Sequence, residues 1–155
     1  MSERCFCSLF PVPHSQFPYN RFMPKPESPK DTPLLIYDGD CAFCRFWVEY
    51  WKERTGEAVG YAPYQDVAHL FPEISIEQFR QAARFRDADG RFSSGAEAVF
   101  RTLACAPGAS RRWLLWAYER VPLFGFLSEA VYRWVARHRE GLYRLTRWVW
   151  GGRRG

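Results

Sequence analysis

Two cysteines three positions apart are the residues in this sequence best suited to chemistry. Cys41 and Cys44 form a Cys-x-x-Cys pair that follows a short apolar run, residues 34–37, and opens a segment with helical spacing. The first turn of a helix presents free N–H groups and the positive end of the helix dipole, which stabilise a thiolate on Cys41. Cys44 follows one turn later, close enough to attack a mixed disulfide on Cys41. The spacing predicts thiol–disulfide exchange with Cys41 as nucleophile and Cys44 as resolving thiol.

Three further residues are candidates for supporting this pair. Asp38 and Asp40 lie just before it, and their negative charge opposes formation of a thiolate. We therefore expect a thiolate less stabilised than in a strong oxidant, so that the couple favours reduction of its partners. The structural alternatives are a turn residue for Asp38 and the N-cap of the first helix for Asp40. Phe43, between the cysteines, is expected to contact substrate or to pack in the core.

Two other interpretations of the cysteines involve no redox chemistry. The pair could be buried and structural, or it could be half of a zinc site. A zinc site needs two further ligands from Cys105, Cys5, Cys7 and the three histidines, and the sequence has no second Cys-x-x-Cys and no His-x-x-x-His. We expect neither a metal nor a nucleotide cofactor.

The aspartates permit an alternative enzyme class. Asp38 and Asp40, after an apolar strand, fit the Asp-x-Asp start of haloacid-dehalogenase-type phosphohydrolases, with Asp38 as nucleophile and Asp40 as acid. Such an enzyme also needs a downstream cation near the phosphate and a late acidic pair for Mg²⁺. After Pro33 the only lysine is Lys52, inside the first helix, so this function remains the alternative to disulfide exchange.

The order of predicted elements is typical of the thioredoxin fold. It runs strand, helix, strand, helix, strand, strand, helix, which gives an α/β protein with a mixed sheet flanked by helices. The first two strands, joined through a helix, are predicted to be parallel, whereas an Asp-Gly turn at 88–90 predicts an antiparallel hairpin. Capping boxes open the second and third helices, Ser75 with Gln78 and Ser94 with Glu97. The predicted strands are 34–37, 59–64, 84–87 and 91–93, and the helices are 41–54, 75–82 and one starting at Ser94.

The motif around the cysteines resembles a known family. Residues 36–44 read Ile-Tyr-Asp-Gly-Asp-Cys-Ala-Phe-Cys, which resembles the Asp-Gly-x-Cys-x-x-Cys signature of the DCC family. The segment 132–139 is similar to that family's C-terminal Tyr-x-x-x-Ala-x-x-Arg region, and the hairpin at 87–90 with Gly95 and Ala98 is similar too. The resemblance covers about residues 34–140. It implies a thioredoxin-like bacterial thiol-disulfide oxidoreductase that works through the two cysteines.

Composition divides the chain into three predicted parts. Seven of its 11 prolines fall in the first 33 residues, so residues 1–32 are predicted to be a disordered arm. Residues 33–108 are the predicted redox domain, and residues 109–150 a basic, aromatic extension of two or three helices packed on that domain. From 109 to 155 there are ten arginines, three glutamates and five tryptophans, a net charge of +7. Such helices either lie on an anionic membrane or pack their aromatics under the sheet.

The sequence also limits the compartment and the partners. No run approaches the 18 apolar residues of a spanning helix, the first 20 residues lack a secretory h-region, and the five cysteines are an odd number. We therefore expect a cytoplasmic protein. Its expected partners are a protein or small-molecule disulfide and a thiol system that recycles the pair. No nucleic-acid motif accompanies the positive charge, so no nucleic-acid partner is expected.

Overall fold

A four-stranded mixed sheet is the centre of the molecule. The computed structural model describes residues 32–107 and 112–151, with side chains up to residue 145. Strand β1 (Leu34–Tyr37) pairs in parallel with β2 (Gly60–Pro63) and antiparallel with β3 (Arg84–Arg86), which pairs antiparallel with β4 (Phe92–Ser94). The strand order is β2-β1-β3-β4. This sheet confirms the predicted thioredoxin-like α/β fold.

Helices flank the sheet and continue beyond it. Three more helices come after the helix that follows β4, in agreement with the two or three that the apolar spacing of the C-terminal region predicts. Pro122 begins the second of these three, where its missing N–H costs no hydrogen bond. The predicted arm falls almost wholly on residues 1–31, which lie outside the described residues, so the division of the chain into three parts remains a prediction. The helices are α1 (Ala42–Thr55), α2 (Tyr64–Val67), α3 (Ile76–Gln81), α4 (Gly95–Ala104), α5 (Arg112–Arg120), α6 (Pro122–Arg137) and α7 (Arg139–Gly151), with 3-10 turns at Gly56–Ala58 and Ala68–Leu70.

The two faces of β1 build two apolar clusters. Successive side chains of a strand point to opposite faces, and Leu35 and Ile36 are both fully buried in this way. Leu35 packs with residues of α1 and α4, and Ile36 packs with residues of α2 and α3. The first cluster is Leu35, Val48, Val59, Phe85 and Ala98, and the second is Ile36, Tyr64, Phe71 and Phe79.

One predicted helix start is wrong by a residue. The N-cap of α1 is Cys41 rather than Asp40, and the Cys41 sulfur accepts the capping hydrogen bond from the backbone N–H of Cys44. The Asp40 side chain is instead bound by Gln65. The reactive cysteine is therefore itself the capping group of its helix.

The capping box predicted at α4 is also wrong, whereas the one at Ser75 and Gln78 is confirmed by both of its hydrogen bonds. Ser94 is the N-cap of α4 but makes no side-chain capping bond. The backbone N–H of Glu97, which Ser94 would bind, donates instead to Glu129 of α6 at 3.2 Å. A carboxylate from a distant helix has replaced the local serine.

The C-terminal helices pack on the first half of the chain. Helices α5 and α6 contact α4, and α7 contacts α1. The Phe100 ring of α4 lies 5.7 Å from Tyr118 of α5 and 5.9 Å from Phe124 of α6, measured between centroids. In the described part of the chain, no helix is both long and apolar enough to cross a bilayer.

The buried position of Leu35 predicts a large stability loss on truncation. Leu35→Ala should lower the free energy of unfolding by about 3 kcal/mol, because it removes core contacts and leaves a cavity. Leu70→Ala is the matched control, since Leu70 is half exposed, and it should cost less than about 1 kcal/mol. Urea denaturation followed by circular dichroism measures both, and equal losses would contradict the central place of β1.

Candidate active site

Cys41 and Cys44 form a close pair of free thiols at the start of α1. Their sulfur atoms are 2.6 Å apart, and the Cys44 backbone N–H donates to the Cys41 sulfur at 3.2 Å. Both residues are partly buried. The end of β1 and the first turn of α1 position them, because the cap needs a side-chain acceptor at residue 41 and the helix returns residue 44 to the same side.

The surroundings make the two thiols chemically different. The hydrogen bond from the Cys44 thiol, the Cys44 backbone N–H and the positive charge of Arg139 lower the pKa of Cys41 to about 6, against burial and the Asp38 charge. The same sulfur–sulfur hydrogen bond, burial and the Cys41 charge raise the pKa of Cys44. At neutral pH Cys41 is therefore the thiolate and Cys44 the proton donor to it. Asp38 opposes the thiolate as the sequence predicts, but the hydrogen bonds outweigh it.

A tight turn at residues 38–40 holds the cysteines in place. Gln65 of α2 binds it from outside, accepting from the Gly39 N–H at 3.1 Å and donating to the carboxylates of Asp38 and Asp40, each at 3.1 Å. A Cβ on Gly39 would lie 2.7 Å from the Cβ of Pro63, at the end of β2. The glycine of the motif is thus required because β2 and α2 press against the turn.

Arg139 is a site residue whose function the sequence analysis missed. It opens α7, and its guanidinium lies 3.3 Å from the carboxylate of Asp38, which is largely buried. Its charge favours the thiolate form of Cys41. The available signal was the C-terminal segment 132–139 that is similar to the DCC family. Gln65 carried no sequence signal.

Tyr132 connects α6 to the same region. Its hydroxyl accepts a hydrogen bond from the backbone N–H of Ala83, just before β3, at 3.0 Å, and burial raises the pKa of Tyr132 to about 12. Ala83 and Tyr132 both line the cavity that reaches Cys44. Tyr132, on α6, and Arg139, at the start of α7, both line this cavity together with Cys44.

A cavity of about 920 Å³ begins beside Cys44 and extends between the helices. Phe43 and Trp47 form part of its wall, their rings 6.1 Å apart and edge to face. Phe43 belongs to neither buried cluster, so its position beside the cavity leaves it open to a bound substrate. Side chains of α4 and α6 that complete the wall include Val99, Phe100, Leu127, Val131 and Val135.

No cluster of metal ligands surrounds the cysteines. Within the described ranges, no three His, Cys, Asp or Glu side chains come together as a metal site would require. Cys105 lies at the end of α4, packs against the Leu35 cluster and donates to the Arg101 carbonyl at 3.4 Å. Cys5 and Cys7 lie outside the described residues.

A dithiol that caps the helix after the first strand of a mixed sheet defines a thioredoxin-like oxidoreductase site. Residues 35–147 match the family model of DCC1-like thiol-disulfide oxidoreductases, and the chain belongs to that family. No curated protein and no solved structure has significant similarity to it. The family assignment favours disulfide exchange over the phosphohydrolase interpretation, and the Asp38 carboxylate is occupied by Arg139 and Gln65.

The position of Arg139 predicts a change in the acidity of Cys41. Arg139→Gln should raise the pKa of Cys41 by about one unit, because a nearby positive charge is lost. The pH dependence of Cys41 alkylation measures this, with a wild-type midpoint of about 6. Arg139→Lys should retain most of the effect. Arg137→Gln, at an exposed arginine two residues away, is the control, and an equal midpoint in all variants would contradict the electrostatic effect of Arg139.

Proposed function

We propose that the protein reduces disulfides by dithiol exchange at Cys41 and Cys44. The Cys41 thiolate attacks one sulfur of the substrate disulfide, a mixed disulfide forms, and the other substrate sulfur leaves as a thiolate. Cys44 then attacks the Cys41 sulfur and releases the second substrate sulfur, while the Cys44 proton passes to a departing thiolate. The substrate gains two electrons and the pair becomes a disulfide, which a cellular thiol system must reduce.

The observation that carries this proposal is that Cys41 is the N-cap of α1 and its sulfur accepts hydrogen bonds from both the backbone N–H and the thiol of Cys44. Cys41 has a lowered pKa and Cys44 a raised pKa, while their sulfurs are 2.6 Å apart. Only the thiolate is a competent nucleophile, so the first attack belongs to Cys41. The protonated Cys44 is the resolving thiol. Once Cys41 is bonded to substrate it is no longer a thiolate, so Cys44 no longer has a charged neighbour that keeps it protonated.

The direction proposed is reduction of protein disulfides. A pKa of about 6 for Cys41 is well above the value of about 3.5 in strongly oxidising thiol proteins and nearer to the value of about 7 in thioredoxin. A less stabilised thiolate makes the dithiol a better reductant. The negative charge of Asp38 disfavours the Cys41 thiolate and therefore also makes the dithiol a better reductant. A bacterial cytoplasm, where thiols are kept reduced, is the compartment that fits this direction.

The cavity wall supports an apolar contact with the substrate. Phe43 and Trp47 lie beside Cys44, where they would meet the residues that flank a substrate cystine. Asp38 and Asp40 act as supporting residues: Asp38 orients Arg139, and both hold Gln65 against the turn. This assignment makes them positioning residues rather than acid or nucleophile.

Trapping tests the two roles. Cys44→Ser should accumulate a mixed disulfide on Cys41, because the first step proceeds and the resolving thiol is missing. Cys41→Ser should trap nothing and should lose reduction of a protein disulfide such as that of insulin. Non-reducing electrophoresis with peptide mapping locates the trapped bond. Cys105→Ser is the control and should behave as wild type; trapping by Cys41→Ser instead would reverse the assignment.

The reduction potential tests the direction. Equilibration of Cys41 and Cys44 in glutathione buffers should give a potential at or below the glutathione poise, about −240 mV. The fraction oxidised is measured by alkylation and mass spectrometry. The Cys41→Ser variant, which cannot form the disulfide, is the reference for the reduced state. A potential well above the glutathione poise would make the protein an oxidant.

A further inference from the structure

Helix α6 exposes an apolar strip to solvent. Its members recur at spacings of three and four residues, so they are neighbours along one side of the helix, and each is between 51 and 67% exposed. Contiguous exposed apolar surface of this kind marks a site of contact with a protein or a membrane. The residues of this α6 strip are Leu123, Phe126, Leu127, Val131 and Trp134.

The α6 strip continues into the cavity of the active site. Leu127 and Val131 belong to the strip and also line the cavity, which Cys44 lines as well. The α6 strip therefore borders the largely apolar cavity that Cys44 also lines. A partner that covers Leu127 and Val131 also covers part of the cavity wall.

Positive charge borders the strip. Arg133 and Arg137 are exposed on α6, each seven residues, about two turns, after Phe126 and Ala130 respectively. Arg120 at the end of α5 and Arg144 of α7 are exposed as well. The segment 109–155 has a net charge of +7, so its binding partner should be negatively charged as well as apolar.

The acidic groups of these helices do not cancel this charge. Glu129 accepts hydrogen bonds from Tyr118 and from the backbone N–H of Glu97, so it faces α4 and α5. Glu119 forms an ion pair with Arg101 at 3.2 Å. Of the three glutamates in α5–α7, only Glu140 has no such internal contact among those described, and it is exposed.

We propose that the α6 strip docks this protein on the surface of an anionic lipid bilayer. Phe126, Leu123 and Trp134 would enter the boundary between headgroups and acyl chains, and the arginines would contact lipid phosphates. A second copy of the chain fits less well, because a two-fold pairing of the strip would bring two strongly positive segments together. In the docked orientation the part of the cavity wall formed by Leu127 and Val131 faces the lipid. The proposal does not depend on disulfide exchange.

Vesicle flotation of the full chain tests the docking. The protein should float with vesicles that contain phosphatidylglycerol, float poorly with phosphatidylcholine alone, and dissociate as salt is raised. The double variant L123S/F126S should bind about tenfold or more weakly, since each exposed apolar side chain contributes more than about 1 kcal/mol on burial. The control L70S/I76S changes exposed apolar residues outside the strip and should bind as wild type.

Charge variants separate the electrostatic contribution to vesicle binding from the apolar one. R133Q/R137Q should lose most of the preference for anionic vesicles, whereas R91Q, at an exposed arginine in the β3–β4 turn, should not. Quenching of wild-type tryptophan fluorescence by brominated lipid is a second measurement that needs no variant. All strip variants should retain disulfide reduction in solution, so a failure of docking is distinct from a failure of the proposed function.

Three results would overturn the proposal. The first is that the full chain does not bind anionic vesicles and shows no quenching. The second is equal binding by L123S/F126S and wild type. The third is a concentration-dependent dimer, measured by light scattering, that L123S/F126S abolishes while vesicle binding is absent, which would assign the strip to a second copy.

Discussion

The hydrogen bond between the two sulfur atoms is the interaction on which the site depends. It allows one thiol of the pair to be charged at neutral pH by keeping the other protonated, with the sulfurs 2.6 Å apart. This bond exists only while the helix starts at Ala42, so that Cys41 is the cap and Cys44 lies one turn on. The apolar clusters on both faces of β1 hold the end of that strand, and therefore the helix start, in place.

The charge balance around the thiolate comes from opposite ends of the chain. Asp38, at the end of β1, disfavours the thiolate, and Arg139, at the start of α7, favours it. Their ion pair orients Arg139 toward the cysteines, so Asp38 opposes the thiolate directly but also positions the group that supports it. The C-terminal helices are thus part of the site as well as of the cavity wall. The family match extends to residue 147, which includes both of these residues.

The local pattern predicted most of the fold, although it extended the second strand to residue 64 and missed α2, which begins there. The two capping errors share one cause. The strands, the hairpin and the capping box at Ser75 depend on neighbours in sequence, and the structure contains them. At α4 the predicted box failed because Glu129, 32 residues from Glu97, supplies the capping carboxylate. That carboxylate approaches so closely that a Cβ on Gly95 would lie 2.6 Å from it. Asp40 was displaced as a cap because Gln65, 25 residues on, binds its side chain.

The sequence by itself determined the reactive pair and its class of chemistry. A Cys-x-x-Cys between an apolar strand and a helical pattern specifies a dithiol at a helix start, because contacts between residues three apart in a helix are local. Only the tertiary structure decided that Arg139 supplies positive charge to Cys41, that Gln65 holds the turn, and that Cys44 and α6 line one largely apolar cavity. Those features join residues far apart in the chain, and their distances depend on how the helices pack on the sheet.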